Sequence, residues 1–447
     1  MSDRKDLPPR PLAFPGGIHP EYDGKDLSCD KPIQTAPLFD KYVILVNQNV
    51  GAPPKVVVKK GDAVKKGQLL AEPGGFVSVP LHAPTSGVIS EIGVAPGPMG
   101  VMVPAIFLDS DGKDEWTEDR MPAMDWRTAD PAELKKRVAD AGIVGMGGAA
   151  FPTHVKLSPP PGKNIDCVIL NGAECEPYLT ADHRVMLETP EKVLAGAAIM
   201  ARILNVKNII IGVELNKTDA LQALEKLAPE YGVKVVGLKV QYPQGSEKQL
   251  IFALTGRKVP TGGLPMDAGC VVQNVGTAAA LCDAVADGVP LIERVTTVTG
   301  KPVRNPGNFR VLVGTPAVKL IELAGGVTEE PRKLIFGGPM MGFAQRSVDV
   351  PVSKNASGVL LLGKDDIVQY ESTACIRCGR CLRGCPMHLS PGPLSMLIES
   401  GKFDLAANNH VMDCLECGAC AYGCPAHRPL VQHMRRAKAE IRRLMKK

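Results

Sequence analysis

Two copies of one cysteine pattern constrain this chain more than any other feature. CIRCGRCLRGCP occupies 375–386 and CLECGACAYGCP occupies 414–425, each reading C-x2-C-x2-C-x3-C-P. That run binds a cubane [4Fe–4S] cluster, and in paired copies the fourth cysteine ligates the other cluster. Three thiols separated by two residues can wrap one face of a cluster. The fourth, past a turn and stopped by proline, reaches away. The spacing therefore predicts one cluster on Cys375, Cys378, Cys381 and Cys424, and a second on Cys414, Cys417, Cys420 and Cys385. Structural zinc is the alternative, but zinc sites use separated C-x2-C pairs, without a third cysteine and a C-P ending. Such clusters carry single electrons, so the rest of the chain is expected to supply or receive them.

At 447 residues the chain is long enough for three or four domains. Eight of its 13 cysteines sit in the cassette, and clusters need a reducing compartment. The opening MSDRKDLPPRPLAF has no apolar segment of a signal peptide. No apolar run approaches the roughly 18 residues of a spanning helix. A net charge of +5 with 4% aromatic residues gives little reason to expect nucleic acid.

Residues 1–40 are rich in Pro and Gly and read as an extended arm. From Tyr42 short alternating strands follow (YVILV, KVVVKKGDAVKKGQLLAE, GFVSVPLHAPTSGVISEI), with turn pairs at Gly61-Asp62 and Lys66-Gly67. This segment resembles the barrel-sandwich hybrid of biotinyl and lipoyl carriers. The corresponding hairpin tip, Pro73-Gly74-Gly75-Phe76, has no lysine to modify, so a structural barrel is expected. Polar residues 111–130 read as a linker. A helical pattern at 132–141 leads into the Gly-rich loop 145–152. Strands at 167–170, 208–213 and 233–240 then alternate with helices at 191–204 and 217–227, which predicts a parallel sheet covered by helices. Ligands in such sheets sit at the carboxyl ends of strands, where Asn171 and Tyr242 are expected. A short helix at 278–286 carries Asn274 and Thr277 near its start, which suits a phosphate. The Gly-rich loop lacks the G-x-G-x-x-G spacing of a dinucleotide fingerprint and alone is as consistent with a tight turn. What adds weight is order: 145–152, NGAECEP (171–177), YPQGSE (242–247) and QNVGT (273–277) fall in succession along one domain. Strands at RVTTVTG, NFRVLVG and RKLIFGG, with a helix at 317–324, suggest a small β-grasp-like unit. GGPMMG (337–342) reads as a packing turn. The cassette follows, with helices expected at 393–399, 403–409 and 430–445.

These residues resemble the RnfC family, from the Rnf complexes that act as ion-translocating ferredoxin:NAD oxidoreductases. FPGGIHPEYDGKDLSCDKPI, GAPPKVVVKKGDAVKKGQ, LHAPTSGVI, GMGGAAFPTHVKL, NGAECEPY, GGPMMG and the cassette carry the likeness over essentially the whole chain. The middle is also similar to the FMN-binding subunit of respiratory complex I. That similarity implies non-covalent FMN, with Gly145, Gly147, Lys156, Asn171, Glu174, Tyr242, Gly245, Asn274 and Thr277 as cofactor-binding residues. It implies NAD(H) as substrate, with Phe151 stacking near the nicotinamide and Glu247 as the second catalytic candidate. Glu174 and Glu247 would orient hydroxyls and amides. Three positions depart from that subunit: Ala173 stands for an acidic residue, Ser246 for a glutamate, and Leu157-Ser158-Pro159 after Lys156 lacks a second aromatic. They bear on the nicotinamide pocket more than on FMN.

The architecture so implied is multidomain α/β and β: the arm (1–40), a barrel-sandwich hybrid (41–110), a Rossmann-like FMN/NADH-binding α/β domain (130–290), a β-grasp, SLBB-like domain (291–363) and an α-helical two-cluster ferredoxin-type domain (364–447). The function implied is an electron-transfer subunit passing electrons between NAD(H), FMN and two clusters. A flavin is what joins a hydride donor to single-electron carriers. Its partners would be other subunits of a membrane complex, especially an iron–sulfur subunit, with ferredoxin indirectly. The chain would sit peripherally on the cytoplasmic side of the inner membrane. The alternative is a soluble reductase of another acceptor, such as a corrinoid, whose resemblance begins near the Gly-rich loop without a barrel in front.

Overall fold

The structure is a computed structural model that describes residues 12–367 and 370–445. The first 11 residues of the expected arm lie outside the described residues. In the described part, β1 (Ile33–Thr35) is a short strand.

The barrel is built from β2 (Lys41–Leu45), β3 (Lys55–Val56), β4 (Ala63–Val64), β5 (Leu69–Glu72), β6 (Leu81–His82), β7 (Gly87–Pro96) and β8 (Met102–Ser110). They form two small sheets, in the orders β2-β8-β7-β4 and β3-β5-β6. Alternate residues point inward, as a strand's period of two requires. Tyr42 and Ile44 of β2 thus meet Ile89 of β7 and Ile106 and Leu108 of β8 in one apolar core. The tip between β5 and β6 lies on the next domain, where the Phe76 carbonyl is 2.9 Å from Nε2 of His154.

The α/β domain runs α1 (Pro131–Asp140), α2 (Thr153–Lys156), β9 (Cys167–Gly172), α3 (Ala181–Glu188), α4 (Pro190–Leu204), β10 (Asn208–Glu214), α5 (Thr218–Tyr231), β11 (Val233–Leu238), α6 (Glu247–Thr255), β12 (Cys270–Asn274) and α7 (Val275–Ala286). Its four strands are all parallel, in the order β11-β10-β9-β12. Both faces are covered, so the strands read as continuous apolar runs. Val168 and Leu170 of β9 pack with α1, α4, α5 and α7. Cys167 and Ile169 face α6 with Leu250 and Ile251. Helices α4 and α7 cross so closely that a Cβ on Gly196 would lie 2.0 Å from the Ala278 carbonyl oxygen. The expected strand at 233–240 stops at Leu238, and the expected helix at 278–286 begins earlier, at Val275.

The third unit comprises β13 (Glu293–Thr299), β14 (Gly307–Leu312), α8 (Ala317–Leu323), β15 (Lys333–Phe336), β16 (Phe343–Gln345) and β17 (Gly358–Leu362). Strand β1 of the arm completes its sheet, in the order β1-β14-β13-β17-β15-β16. Beyond it the described residues are helical: α9 (Arg380–Gly384), α10 (Pro391–Glu399), α11 (Phe403–Asn408), α12 (Ala419–Tyr422) and α13 (Leu430–Met445). Leu430, Met434, Ala437 and Ile441 recur at helical spacing, and this buried stripe of α13 holds it against the other helices. Among the described residues no helix is long and apolar enough to cross a membrane.

Candidate functional site

The carboxyl ends of β9 and β12 meet the Gly-rich loop, and the contacts there are specific. The loop closes on itself: Gly145 N–H donates to the Phe151 carbonyl (2.9 Å) and Ala150 N–H to the Gly145 carbonyl (3.2 Å). Thr277, fully buried on α7, accepts from Met146 N–H at 2.9 Å and so ties the loop to that helix. Gly147 and Gly148 are exposed at its crest. A Cβ on Gly147 would lie 3.2 Å from the Asn274 Cβ, so no larger residue fits without displacing that side chain. Asn171, in β9, donates from Nδ2 to the Gly245 carbonyl (2.8 Å) and brings the YPQGSE turn alongside. Lys156 Nζ lies 2.5 Å from Glu247 Oε1 and 3.0 Å from the Val272 carbonyl. Gly145, Gly147, Phe151, Lys156, Asn171, Gly245, Glu247, Asn274 and Thr277 therefore surround one region. Gln273 lies in the same strand end, with its buried Nε2 unpartnered among the described residues.

Four details differ from the expectation. Glu174 does not reach toward a ligand: its carboxylate caps α3, accepting from Asp182 N–H (2.7 Å) and His183 N–H (3.1 Å). The start of α7 is already capped, because Asn274 Oδ1 accepts from Gly276 and Thr277 N–H at 2.8 and 3.2 Å. A phosphate would find few free donors there. Lys156 is paired with Glu247 rather than standing as a lone cation. Tyr242 points away altogether, its hydroxyl donating to the Cys417 carbonyl at 2.6 Å.

Residues that pattern reading missed hold this region up. The backbone of 173–179 turns sharply, with Glu174 at φ +44 and Tyr178 at φ +69. Lys25, from the arm, is buried beneath it and donates to the carbonyls of Glu174, Glu176 and Leu179 at 2.8, 2.9 and 2.5 Å. Lys217 donates to the Ala173 carbonyl at 2.7 Å. Burial, then the neighbouring Lys217, hold the Lys25 ammonium below its ordinary range. Asp182 accepts from Asn274 Nδ2 at 2.6 Å. Burial, and then Glu174, push its carboxyl up to about 7. Arg294, buried under the loop, donates to the Lys354 carbonyl at 2.8 Å, and burial lowers its guanidinium to about 10. A lysine within an arm looks solvated in a sequence, since nothing local marks the carbonyls it will meet.

The cassette brings seven of its eight thiols into two groups, and Cys378 is exposed. Cys385, Cys414, Cys417 and Cys420 line one small cavity with Met387, Leu394 and Met434. Cys381 sits beside Cys424 and Cys375: burial raises its thiol first, and those two neighbours raise it further. A Cβ on Gly392 would lie 3.6 Å from Cys381 Sγ and 3.9 Å from Cys375 Sγ, so both thiols approach the bare backbone at the start of α10. Burial, then Cys414 and Cys385, push the Cys417 thiol up to about 11. Positively charged iron would reverse that and hold the thiolates. A zinc ion would draw thiols to about 3.8 Å from one another, given Zn–S bonds of about 2.3 Å. Four cysteines lining one cavity, drawn from both motifs, are the donor set a cubane takes, and the residues fit that group.

Family models match in the same order as these domains. They are described as RnfC barrel sandwich hybrid domain (12–113), Nuo51 FMN-binding domain (138–283), SLBB domain (295–344) and 4Fe-4S dicluster domain (367–441). The chain is 52% identical over 96% of its length to the C subunit of the proton-translocating ferredoxin:NAD(+) oxidoreductase complex of Clostridium ljungdahlii, covering 94% of that protein. The chain belongs to the RnfC family. Members from Acetobacterium woodii, named for a Na(+)-translocating complex, and from Rhodobacter capsulatus are 46% and 44% identical, over 96% and 97% of this chain and 97% and 84% of theirs. A solved NAD+-reducing [NiFe]-hydrogenase shares the fold, with a TM-score of 0.52 at 19% identity, over 72% of this chain and 65% of its own. Membership in the RnfC family separates the chain from the barrel-less reductases weighed as an alternative.

Proposed function

We propose that this chain is the electron-transfer subunit of a membrane-bound, ion-translocating ferredoxin:NAD oxidoreductase, passing electrons between NAD(H), non-covalent FMN and two [4Fe–4S] clusters. The observation that carries it is the Tyr242 hydroxyl on the Cys417 carbonyl, 2.6 Å apart across two domains. It joins a flavin-type strand end to a cluster-type thiol group through a buried contact, Tyr242 and Cys417 being 2% and 8% exposed. Bound flavin would exchange a hydride on one side and single electrons on the other.

The chain's own residues prepare that chemistry. Gly145 and Gly147 would let backbone approach a flat ring, and Asn171, Gly245, Asn274 and Thr277 would fix its position. Lys156, with its charge shared by Glu247, would lie at the mouth of the site, where Phe151 is placed to stack on nicotinamide. Ala173 is wholly buried in the apolar layer below the sheet. Cys375, Cys378, Cys381 and Cys424 would hold one cluster, and Cys414, Cys417, Cys420 and Cys385 the other. The division of labour follows the domains at 41–110, 130–290, 291–363 and 364–447. The partners would be the other subunits of the complex, an iron–sulfur subunit foremost, at the cytoplasmic face of the inner membrane. Anaerobic purification followed by metal and acid-released flavin counts tests the reading: about eight irons and one FMN per chain are expected from two cubanes and one flavin. Zinc in place of iron, or no flavin, would refute it.

A further inference from the structure

The two cysteine motifs are repeats, so their matching positions can be compared directly. In the second motif, Leu415, Cys417 and Ala419 pack with Tyr242, Ile18, Cys175 and Met340 of the other domains. Gly418, with φ +82, lies against Met340: a Cβ there would be 3.3 Å from its methyl and from its carbonyl. In the first motif the counterparts Ile376, Cys378 and Arg380 are exposed. Gly379, with φ +73, has the same backbone, but among the described residues the neighbour near its Cβ position is its own motif's Arg383, at 3.6 Å. One repeat thus docks on the flavin domain through this face, and the other presents the same face to solvent. The open motif carries two exposed apolar side chains, Ile376 at 66% and Leu382 at 50%. The same motif carries exposed Arg377, Arg380 and Arg383, where the docked repeat has Glu416, Ala419 and Tyr422.

Resting on the proposed function above, we propose that this face is the docking surface for a one-electron iron–sulfur protein with an acidic rim around its own cluster. Three exposed arginines beside exposed Ile376 and Leu382 would select an acidic partner and steer its approach. One electron crosses: the donor cluster is oxidised by one unit and the acceptor cluster reduced by one. No bond or proton need move.

The test uses anaerobically prepared holoprotein and, as the probe, an acidic bacterial 2[4Fe–4S] ferredoxin in its oxidised form. Calorimetry measures the dissociation constant at ionic strengths of about 0.05 and about 0.5 M, between which surface charges become screened. The expected result is binding that weakens with salt, and at least tenfold weaker binding by Arg377→Glu/Arg380→Glu/Arg383→Glu with iron content unchanged. Should that variant lose iron, the milder Arg377→Gln/Arg380→Gln/Arg383→Gln takes its place, with a smaller loss in the same direction. Arg442→Glu/Arg443→Glu, on the exposed end of α13, should bind as wild type does. No binding, salt-independent binding, or weakening by the α13 pair instead of the motif arginines would overturn the proposal. Flavin bleaching by NADH, read on the same samples, reports separately on the proposed function.

Discussion

Lys25 shows how much a single residue can hold in this chain. Its ammonium satisfies three carbonyls of the 174–179 turn from a buried position. Each orphaned buried acceptor costs about 1–3 kcal/mol, so Lys25→Met should destabilise the protein by about 3 kcal/mol or more, read as a lower denaturant midpoint. Asp182 gives a pH dependence. Its carboxyl is pushed from 3.8 to about 7 in the folded chain, by burial first and Glu174 second. The folded state then binds the proton more tightly than the unfolded state, and stability falls as pH rises from about 4 to about 7. Asp182→Asn should flatten that fall and leave the protein more stable than wild type at pH 8, measured by chemical denaturation across the range. Gly147 tests the flavin site. Gly147→Val would drive a side chain into Asn274 and should lower FMN content at least tenfold; full occupancy would count against the assignment. At this scale sequence reading was uneven. The cysteines were legible because their spacing is a geometric requirement of the cluster. The side chains of Glu174 and Tyr242 turn elsewhere than expected, because a motif match names a residue without saying which way its side chain turns. The +44 φ of Glu174 aims its carboxylate at α3, and the buried ring of Tyr242 reaches the cassette.

Elements with strong local periodicity were legible; those made by distant partners were not. The period-three-to-four stripe of α13 and the apolar runs of β9 and β10 announce themselves. Strand β1 does not, since three residues of a Pro-rich arm become a strand only by pairing with β14, from Ile33 opposite Asn308 to Thr35 opposite Arg310. Helix α3 was missed for a similar reason: ADHRVMLE is short and polar, and it depends on the Glu174 cap from another segment. The barrel tip lacks a lysine, and its contact with His154 gives it a structural task. Intact-mass analysis should accordingly show residues 41–110 free of biotinyl and lipoyl groups; either adduct would end that reading. The cassette offers a test between elements. The Cys385 thiol belongs to the first motif yet lines the cavity of the second. Cys385→Ser should therefore disturb the electron paramagnetic resonance signal of the cluster on Cys414, Cys417 and Cys420, and spare the other.

Across the whole molecule, the domains are threaded together by the arm. Ile18 pairs with Tyr242 through both backbone bonds, at 2.8 and 2.9 Å, while Gly17 N–H reaches the Gly384 carbonyl at 3.2 Å. A Cβ on Gly16 would lie 2.8 Å from the Cys385 carbonyl oxygen, so the arm passes directly over a cluster-binding loop. The arm thus holds the end of the first motif, the second motif docks on the flavin domain through Cys417 and Tyr242, and Ile376, Cys378 and Arg380 of the first motif face outward. This arrangement makes the flavin reachable by two routes that should be separable. Hydride donation needs only the flavin domain, and single-electron donation needs the cassette. The decisive measurement is anaerobic stopped-flow bleaching of bound FMN, by NADH and by reduced acidic ferredoxin standing in for the iron–sulfur subunit, in separate mixes, in wild type and in Cys378→Ala. Both donors should bleach the wild-type flavin, and in the variant NADH should keep its rate while ferredoxin loses at least tenfold. Loss of both rates with FMN still bound, or retention of both, would contradict a relay that runs from flavin through the second motif to the first.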